Sequence, residues 1–232
     1  QSIKSKLFKE KRTLFQYLKF SSLICFPSKR NHLTAQQLLI YVPKINNRLR
    51  FTFKLILTEL LGVKFIFTDD SREFINAQQP KFSYAFHPIG DELFICAKQL
   101  LFESGLKDQE IQVSNLNDLP TFFATTRFSA IPFDPFAASF YMVSRYEEYL
   151  PTIYDSHHRF EAHHSLAYNH GFLQKPVVNM WAYAIRDLLK SKFPELQFIK
   201  REYKYLSTID IDNAWAYTQK GLVRTVGGYL KS

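Results

Sequence analysis

The segment "STIDIDNAWAY" (207–217) carries two acidic residues in a run that otherwise has the apolar pattern of a buried strand. On a strand, Asp210 and Asp212 would share one face with Cα atoms roughly 6.5 Å apart, and Ile209 and Ile211 would face the opposite side. Two like charges so close are costly unless a cation or a hydrogen-bond donor holds them. A divalent metal is the usual compensation, with one carboxylate as ligand and the other free to accept a proton. The alternative is a strand end where both acids are solvated or cap the next helix.

A second candidate is the run "DSHHRFEAHH" (155–164), which holds four histidines. Imidazole is a common zinc ligand, so His157, His158, His163 and His164 could bind a metal. No cysteine lies near them, however, and no i, i+4 spacing holds them in helical register. A polar surface loop is therefore the alternative for this run.

The third candidate is the run "SRYEEYLP" (144–151). Arg145 and Glu148 are three residues apart on an expected helix and, beside Asp134, could form a polar pocket. Such charges are also common as simple ion pairs on a helix face.

The net charge of +9 is concentrated at the beginning of the chain. Residues 1–37 hold eight basic residues and one acid (+7), whereas the other 195 residues hold 22 basic and 20 acidic residues (+2). We expect 1–37 to be a basic extension that is disordered or not native, and we expect no nucleic-acid partner for residues 38–232. No run of about 18 apolar residues predicts a membrane span. The two cysteines lack a metal-type spacing and slightly favour a cytoplasmic over an exported location.

Regular patterning begins at Leu38 and predicts an α/β fold. "LLIYVP" predicts a buried strand, the helical spacing from Ile45 predicts a helix that ends near Gly62, and "VKFIFT" predicts a second strand. Strand–helix–strand order is typical of a parallel sheet. Further on, Asp134 and Pro135 predict the start of a helix that runs to about Tyr149, and another helix begins near Pro176.

The "STIDID" segment resembles the first motif of the polysaccharide deacetylases (the NodB-homology group, carbohydrate esterase family 4), whose deformed β/α barrel opens with a strand ending in T-x-D-x-D. Thr208, Asp210 and Asp212 occupy those places. The resemblance implies that Asp210 is the catalytic base that activates water and that Asp212 is a metal ligand. It also implies a zinc-type divalent metal in the complete enzyme and an acetylated amino-sugar glycan as substrate.

The upstream sequence resembles the N-terminal domain of unassigned function that precedes this barrel in a group of bacterial proteins. The resemblance rests on four stretches: "LLIYVPKINNRLRF", "PIGDELFI", "PFDPFAASFYMVSRYEEYLP" and "SLAYNHGFLQKPVVNMWA". We therefore expect a mixed α/β accessory domain over 38–200, followed over 201–232 by the first strand and helix of an incomplete barrel.

One departure from the family pattern bears on activity. The family's metal site takes two further histidines from a later H-x-x-x-H motif, and no histidine follows His170 in this sequence. We therefore expect a truncated chain that is inactive by itself. Two alternatives remain: a metal-dependent glycosyltransferase that uses Asp210 and Asp212 as its D-x-D motif, or a non-catalytic module that binds glycan or acts as a scaffold.

Overall fold

The computed structural model describes residues 37–210 of the chain. Residue contacts divide the chain into two units, Gln1–Ile199 and Lys200–Ser232. All the regular elements described here lie in the first unit. Of the second unit, residues 200–210 are described, and they are exposed and without regular secondary structure.

A four-stranded parallel sheet organises the first unit. Its strands are β1 (Leu38–Tyr41), β2 (Phe65–Thr68), β3 (Lys81–Ala85) and β4 (Leu93–Cys96), arranged in the order β2-β1-β3-β4. Leu38 pairs with Phe65, Leu39 with Lys81 and Phe82 with Leu93. The prediction of a mixed α/β domain with a parallel sheet is thereby confirmed.

Five α-helices and one hairpin complete the described regular structure, apart from short 3₁₀ turns. The helices are α1 (Asn47–Phe53), which continues as a π-helical segment (Lys54–Leu60), α2 (Ser71–Asn76), α3 (Pro135–Val143), α4 (Leu166–Asn169) and α5 (Val177–Lys192). The hairpin pairs β5 (Ser114–Leu116) with β6 (Leu119–Thr121) in antiparallel fashion, through a turn in which Asn117 and Asp118 have positive φ. Such a turn matches the twist of the strands that it joins.

The strands β1, β3 and β4 are largely buried on both faces, whereas the edge strand β2 is partly exposed at Ile66. On one face, Phe53 of α1 stacks on Phe136 of α3 with ring centroids 3.9 Å apart, and Tyr84 of β3 meets Phe136 edge to face. On the other face, Tyr41 contacts Phe74 of α2 at 5.7 Å. The strands β3 and β4 are joined by residues 86–92 without a helix, although parallel neighbours usually need a longer crossover.

The helix that begins at Asn47 ends at Leu60, and Gly62, just after its C-cap Leu61, lies where another segment of the chain comes close. Gly62 has φ +73°, and a Cβ atom there would lie 2.8 Å from the Cβ of Ile199. The N–H of Ile199 donates to the carbonyl of Leu61 at 2.8 Å. Glycine is therefore required twice at this position, for the left-handed backbone and for the close approach.

Two sequence predictions differ from the structure. The helix expected to reach Tyr149 ends at Val143, because Arg145 takes a left-handed conformation (φ 52°) and a 3₁₀ turn (Tyr146–Tyr149) follows. The strand expected over 207–212 is not formed in its described part, 207–210, where Ile209 is 82% exposed. A strand is stabilised by hydrogen bonds to a neighbouring strand, and no pairing of the described sheets includes these residues. The remainder of the expected barrel start, 211–232, lies outside the described residues.

Candidate functional site

Asp134 is wholly buried at the start of α3. One carboxylate oxygen accepts from the backbone N–H groups of Phe136 and Ala137, at 3.0 and 2.9 Å, which is the geometry of an N-cap. The other accepts from the Tyr84 hydroxyl and from the N–H of Lys98, both at 2.7 Å. The carboxylate thereby joins the start of α3 to β3 and to the segment after β4.

Burial raises the pKa of Asp134 to about 6, although its hydrogen bonds act in the opposite direction. The same burial, together with the nearby carboxylate, raises the pKa of Tyr84 well above its ordinary value. All four donors belong to the protein itself: the N–H groups of Phe136, Ala137 and Lys98 and the hydroxyl of Tyr84. The role of the Asp134 carboxylate is therefore structural.

Arg145 and Glu148 lie at the opposite end of α3 from Asp134. The Arg145 guanidinium, which is 70% exposed, contacts the Glu148 carboxylate at 2.5 Å. The nine residues of α3 separate this pair from Asp134 by roughly 14 Å along the helix axis. The structure therefore does not bring the three residues of the expected polar pocket together.

Glu147 lies between Arg145 and Glu148, and the sequence did not indicate its role. Its carboxylate accepts from the N–H of Leu166 at 2.8 Å, at the start of α4. Burial raises the pKa of Glu147, and the charge of Glu148 adds to this effect. Glu147 thus ties the 3₁₀ turn after α3 to the segment that carries the histidines.

The four histidines of the run 155–164 separate into two pairs. His157 and His158 lie in a turn closed by Asp155, whose carboxylate accepts from the N–H groups of His157 and Arg159, both at 2.8 Å. His158 has φ 58°, a conformation that favours glycine. The hydrogen bonds from Arg159 and its neighbours lower the pKa of Asp155. Both histidines are exposed, and hydrogen bonds to the Asp155 carboxylate already hold the turn in which they lie.

His163 and His164 lie together in the 3₁₀ turn Ala162–His164, with ring centroids 3.9 Å apart. The Glu161 carboxylate lies beside the two rings. One potential metal-binding atom from each of the three residues lies within 4.8 Å of the other two. Glu161 was not among the sequence candidates, although it stands two residues before His163. We call Glu161, His163 and His164 the histidine cluster.

Asp210 lies at the end of the described residues and is exposed. Asp212, the expected metal ligand, lies outside the described residues. The arrangement of this pair therefore remains a prediction from sequence.

An open cavity of about 270 Å³ lies between the β5–β6 hairpin and the segment after α4. Its polar groups are Ser114, Asn115, His170 and Lys175, and the buried residues Pro120 and Phe172 also line it. The Lys175 ammonium donates to the carbonyl of Asp118 at 3.2 Å, which links the two walls. These residues come from separate stretches of sequence with no shared motif, and sequence reasoning did not find the cavity.

The fold and these sites define an α/β domain with an open parallel sheet, an interior carboxylate that holds its layers together and polar groups in surface loops. The chain belongs to the family of unknown function (DUF7033), whose model matches residues 38–194. Neither the curated proteins nor the solved structures gave a match. Among residues 37–210, no helix is both long and apolar enough to cross a bilayer.

Proposed function

We propose that this chain carries the accessory domain and the first catalytic motif of a metal-dependent polysaccharide deacetylase, which hydrolyses N-acetyl groups of amino-sugar glycans. The observation that carries the proposal is the T-x-D-x-D order of Thr208, Asp210 and Asp212, which follows the α/β domain. The described part of this segment is exposed and takes no part in the regular structure of the first unit. Thr208 and Asp210 are thus not part of that domain's core.

The roles proposed for the two acids follow from the chemistry of amide hydrolysis. A divalent metal, when bound, would supply Lewis-acid activation of water and of the amide carbonyl. Asp210 accepts the proton of the attacking water, and Asp212 offers a carboxylate oxygen as a metal ligand. A catalytic zinc site usually takes three protein ligands, and no histidine follows His170 in this sequence. The donor set is therefore incomplete, and we expect no deacetylase activity from these 232 residues alone.

The test uses the complete reading frame, with acetate release from an acetylated amino-sugar oligosaccharide and bound metal both measured. Asp210→Asn should abolish acetate release and retain the metal, whereas Asp212→Ala should lose both. Glu202→Gln, an exposed acid of the same segment, is the matched control and should change neither.

Two outcomes would contradict the deacetylase proposal. One is metal content that Asp212→Ala leaves unchanged. The other is transfer of sugar from a nucleotide sugar without acetate release, which would favour the glycosyltransferase alternative instead.

The cavity supports a second role for the domain, the binding of a glycan chain. Its volume of about 270 Å³ lies just below the range for small-ligand sites, about 300–1,000 Å³, so that it could hold at most one sugar ring. Ser114, Asn115, His170 and Lys175 offer hydrogen-bonding groups for hydroxyls.

Glycan binding is tested in the chain that carries both Asp210→Asn and Asp212→Asn. Binding of an acetylated oligosaccharide should persist there and weaken in Asn115→Ala. Lys190→Ala, on the exposed side of α5, serves as control. Absence of binding, or equal binding by the Asn115 and Lys190 variants, would contradict this role.

A further inference from the structure

We propose that the histidine cluster, Glu161 with His163 and His164, binds a divalent transition-metal ion of the zinc type, independently of Asp210 and Asp212. The three potential ligand atoms lie within 4.8 Å of one another. Two imidazole nitrogens and one carboxylate oxygen are the donors of open zinc sites, in which water or another ligand takes the fourth position. A tetrahedral site needs its ligand atoms about 3.4 Å apart, so that small side-chain rotations would bring these three to bonding distance.

The backbone of the turn explains why these three side chains gather. Glu161 is the extended N-cap of the 3₁₀ turn Ala162–His164, so the turn folds the chain back and returns His164 towards Glu161. The N–H of His164 donates to the carbonyl of Glu161 at 3.0 Å, which closes the turn. The His163 ring lies beside the His164 ring, with 3.9 Å between centroids.

The turn is anchored to the domain on its C-terminal side. The Ser165 hydroxyl donates to the carbonyl of Ala162 at 2.6 Å and accepts from the N–H of Tyr168 at 3.2 Å. Glu147 accepts from the next N–H, that of Leu166. Because the backbone is already held, binding an ion orders mainly the three ligand side chains, and the entropic cost is correspondingly small.

The surroundings favour access for a cation. Glu161 and His163 are exposed, and His164 is half-buried with its ring near that of Phe160, at 6.4 Å. The Arg159 guanidinium, two residues before Glu161, is engaged by the Asp155 carboxylate at 2.7 Å. The positive charge of Arg159 is therefore held at Asp155.

The structure also supplies a matched control in the same loop. His157 and His158 have the same side chain and are exposed like His163, but they lie in the Asp155 turn and outside the cluster. A sequence count of four histidines treats all of them as equal candidates. The geometry assigns the ion to two of them together with an acid.

The experiment uses the 232-residue chain carrying Asp210→Asn and Asp212→Asn, so that the acids of the proposed catalytic motif cannot contribute. The chain is stripped of metal with a chelator and titrated with Zn²⁺ by calorimetry. We expect one ion per chain, and we expect His163→Ala and His164→Ala each to weaken binding more than about tenfold, since even loss of an outer partner of a metal site costs that much. Glu161→Gln, which keeps an oxygen but loses the charge, should weaken binding less.

His157→Ala and His158→Ala should leave the affinity unchanged, and thermal unfolding of each variant verifies that it is folded. In an NMR titration, the imidazole signals of His163 and His164 should shift ahead of those of His157 and His158. The proposal is overturned if no Zn²⁺ binds, if binding survives His163→Ala and His164→Ala, or if the control variants weaken it equally. None of these outcomes bears on deacetylase activity, which depends on Asp210 and Asp212.

Discussion

The hydroxyl of Tyr84 donates a 2.7 Å hydrogen bond to the carboxylate of Asp134, and both side chains are buried. The bond joins β3 to the first turn of α3, 50 residues further along the chain. Because the same carboxylate also caps α3 and accepts from Lys98, one charged group connects three segments of the domain. The acid that the sequence suggested for a polar pocket with Arg145 and Glu148 is thus a buried helix cap in the interior.

Stability should depend on pH through Asp134. Its pKa in the folded chain, about 6, lies above the ordinary value near 3.9, so that the folded state binds the proton more tightly than the unfolded state. The stabilisation that comes from protonated Asp134 is complete below pH 4 and is lost as pH rises through 6. This loss lowers the free energy of unfolding by up to about 3 kcal/mol. Urea unfolding at several pH values should show this component in the wild type and not in Asp134→Asn. A wild-type minus variant difference that is constant or rises with pH would contradict it.

Removal of the Tyr84 hydroxyl should destabilise the domain. In Tyr84→Phe the buried carboxylate of Asp134 loses one of its donors, which should cost about 1–3 kcal/mol in the free energy of unfolding at pH 7. Tyr183→Phe, at a half-exposed tyrosine of α5, is the control and should cost much less. Equal effects of the two substitutions in chemical denaturation would show that the hydrogen bond from Tyr84 to Asp134 adds no stability of its own.

Gly62→Ala should be much more harmful than the same change at Gly105. Both glycines have positive φ, +73° and +72°, so both substitutions incur the left-handed backbone cost of about 1–2 kcal/mol. At Gly62 the new Cβ also meets Ile199 at 2.8 Å, whereas nothing lies within 4 Å of it at Gly105. We therefore expect an additional loss of about 1–3 kcal/mol for Gly62→Ala, measured by thermal or urea unfolding. Similar losses at both positions would mean that the contact with Ile199 is not formed.

His158→Gly should leave stability unchanged or raise it by up to about 1.5 kcal/mol. Relief of the left-handed conformation (φ 58°) is worth about 1–2 kcal/mol, and the greater freedom of glycine in the unfolded chain offsets about 0.4–1 kcal/mol of this. His157→Gly, which gains no such relief, should instead destabilise slightly. A substantial loss on His158→Gly in thermal unfolding would mean that the His158 side chain makes a contact of its own.

Local signals in the sequence predicted much of the architecture. Apolar runs predicted β1 and β2, and helical spacing followed by a glycine predicted the helix that ends just before Gly62. Asp134 followed by Pro135 predicted the start of α3. These predictions succeed because caps, glycine conformations and buried strands depend on residues adjacent in sequence.

Contacts between distant residues could not be predicted in this way. The sequence identified Asp134 as a cap, but its bonds to Tyr84 and Lys98 depend on how β3 and β4 pack beneath α3. The cavity beside the hairpin is also formed by segments far apart in sequence, and no residue pattern marks it. The left-handed Arg145 that ends α3 early follows no local signal either.

The four histidines show most clearly which features the sequence determines and which depend on the tertiary structure. The sequence by itself determined that the run 155–164 is rich in metal-binding side chains and that two acids follow the domain at Asp210 and Asp212. Only the tertiary structure separated His157 and His158, in the turn closed by Asp155, from His163 and His164 beside Glu161. The physical reason is that a ligand set is defined by the positions of side-chain atoms in space, which depend on the turns between the residues and on the contacts that anchor those turns.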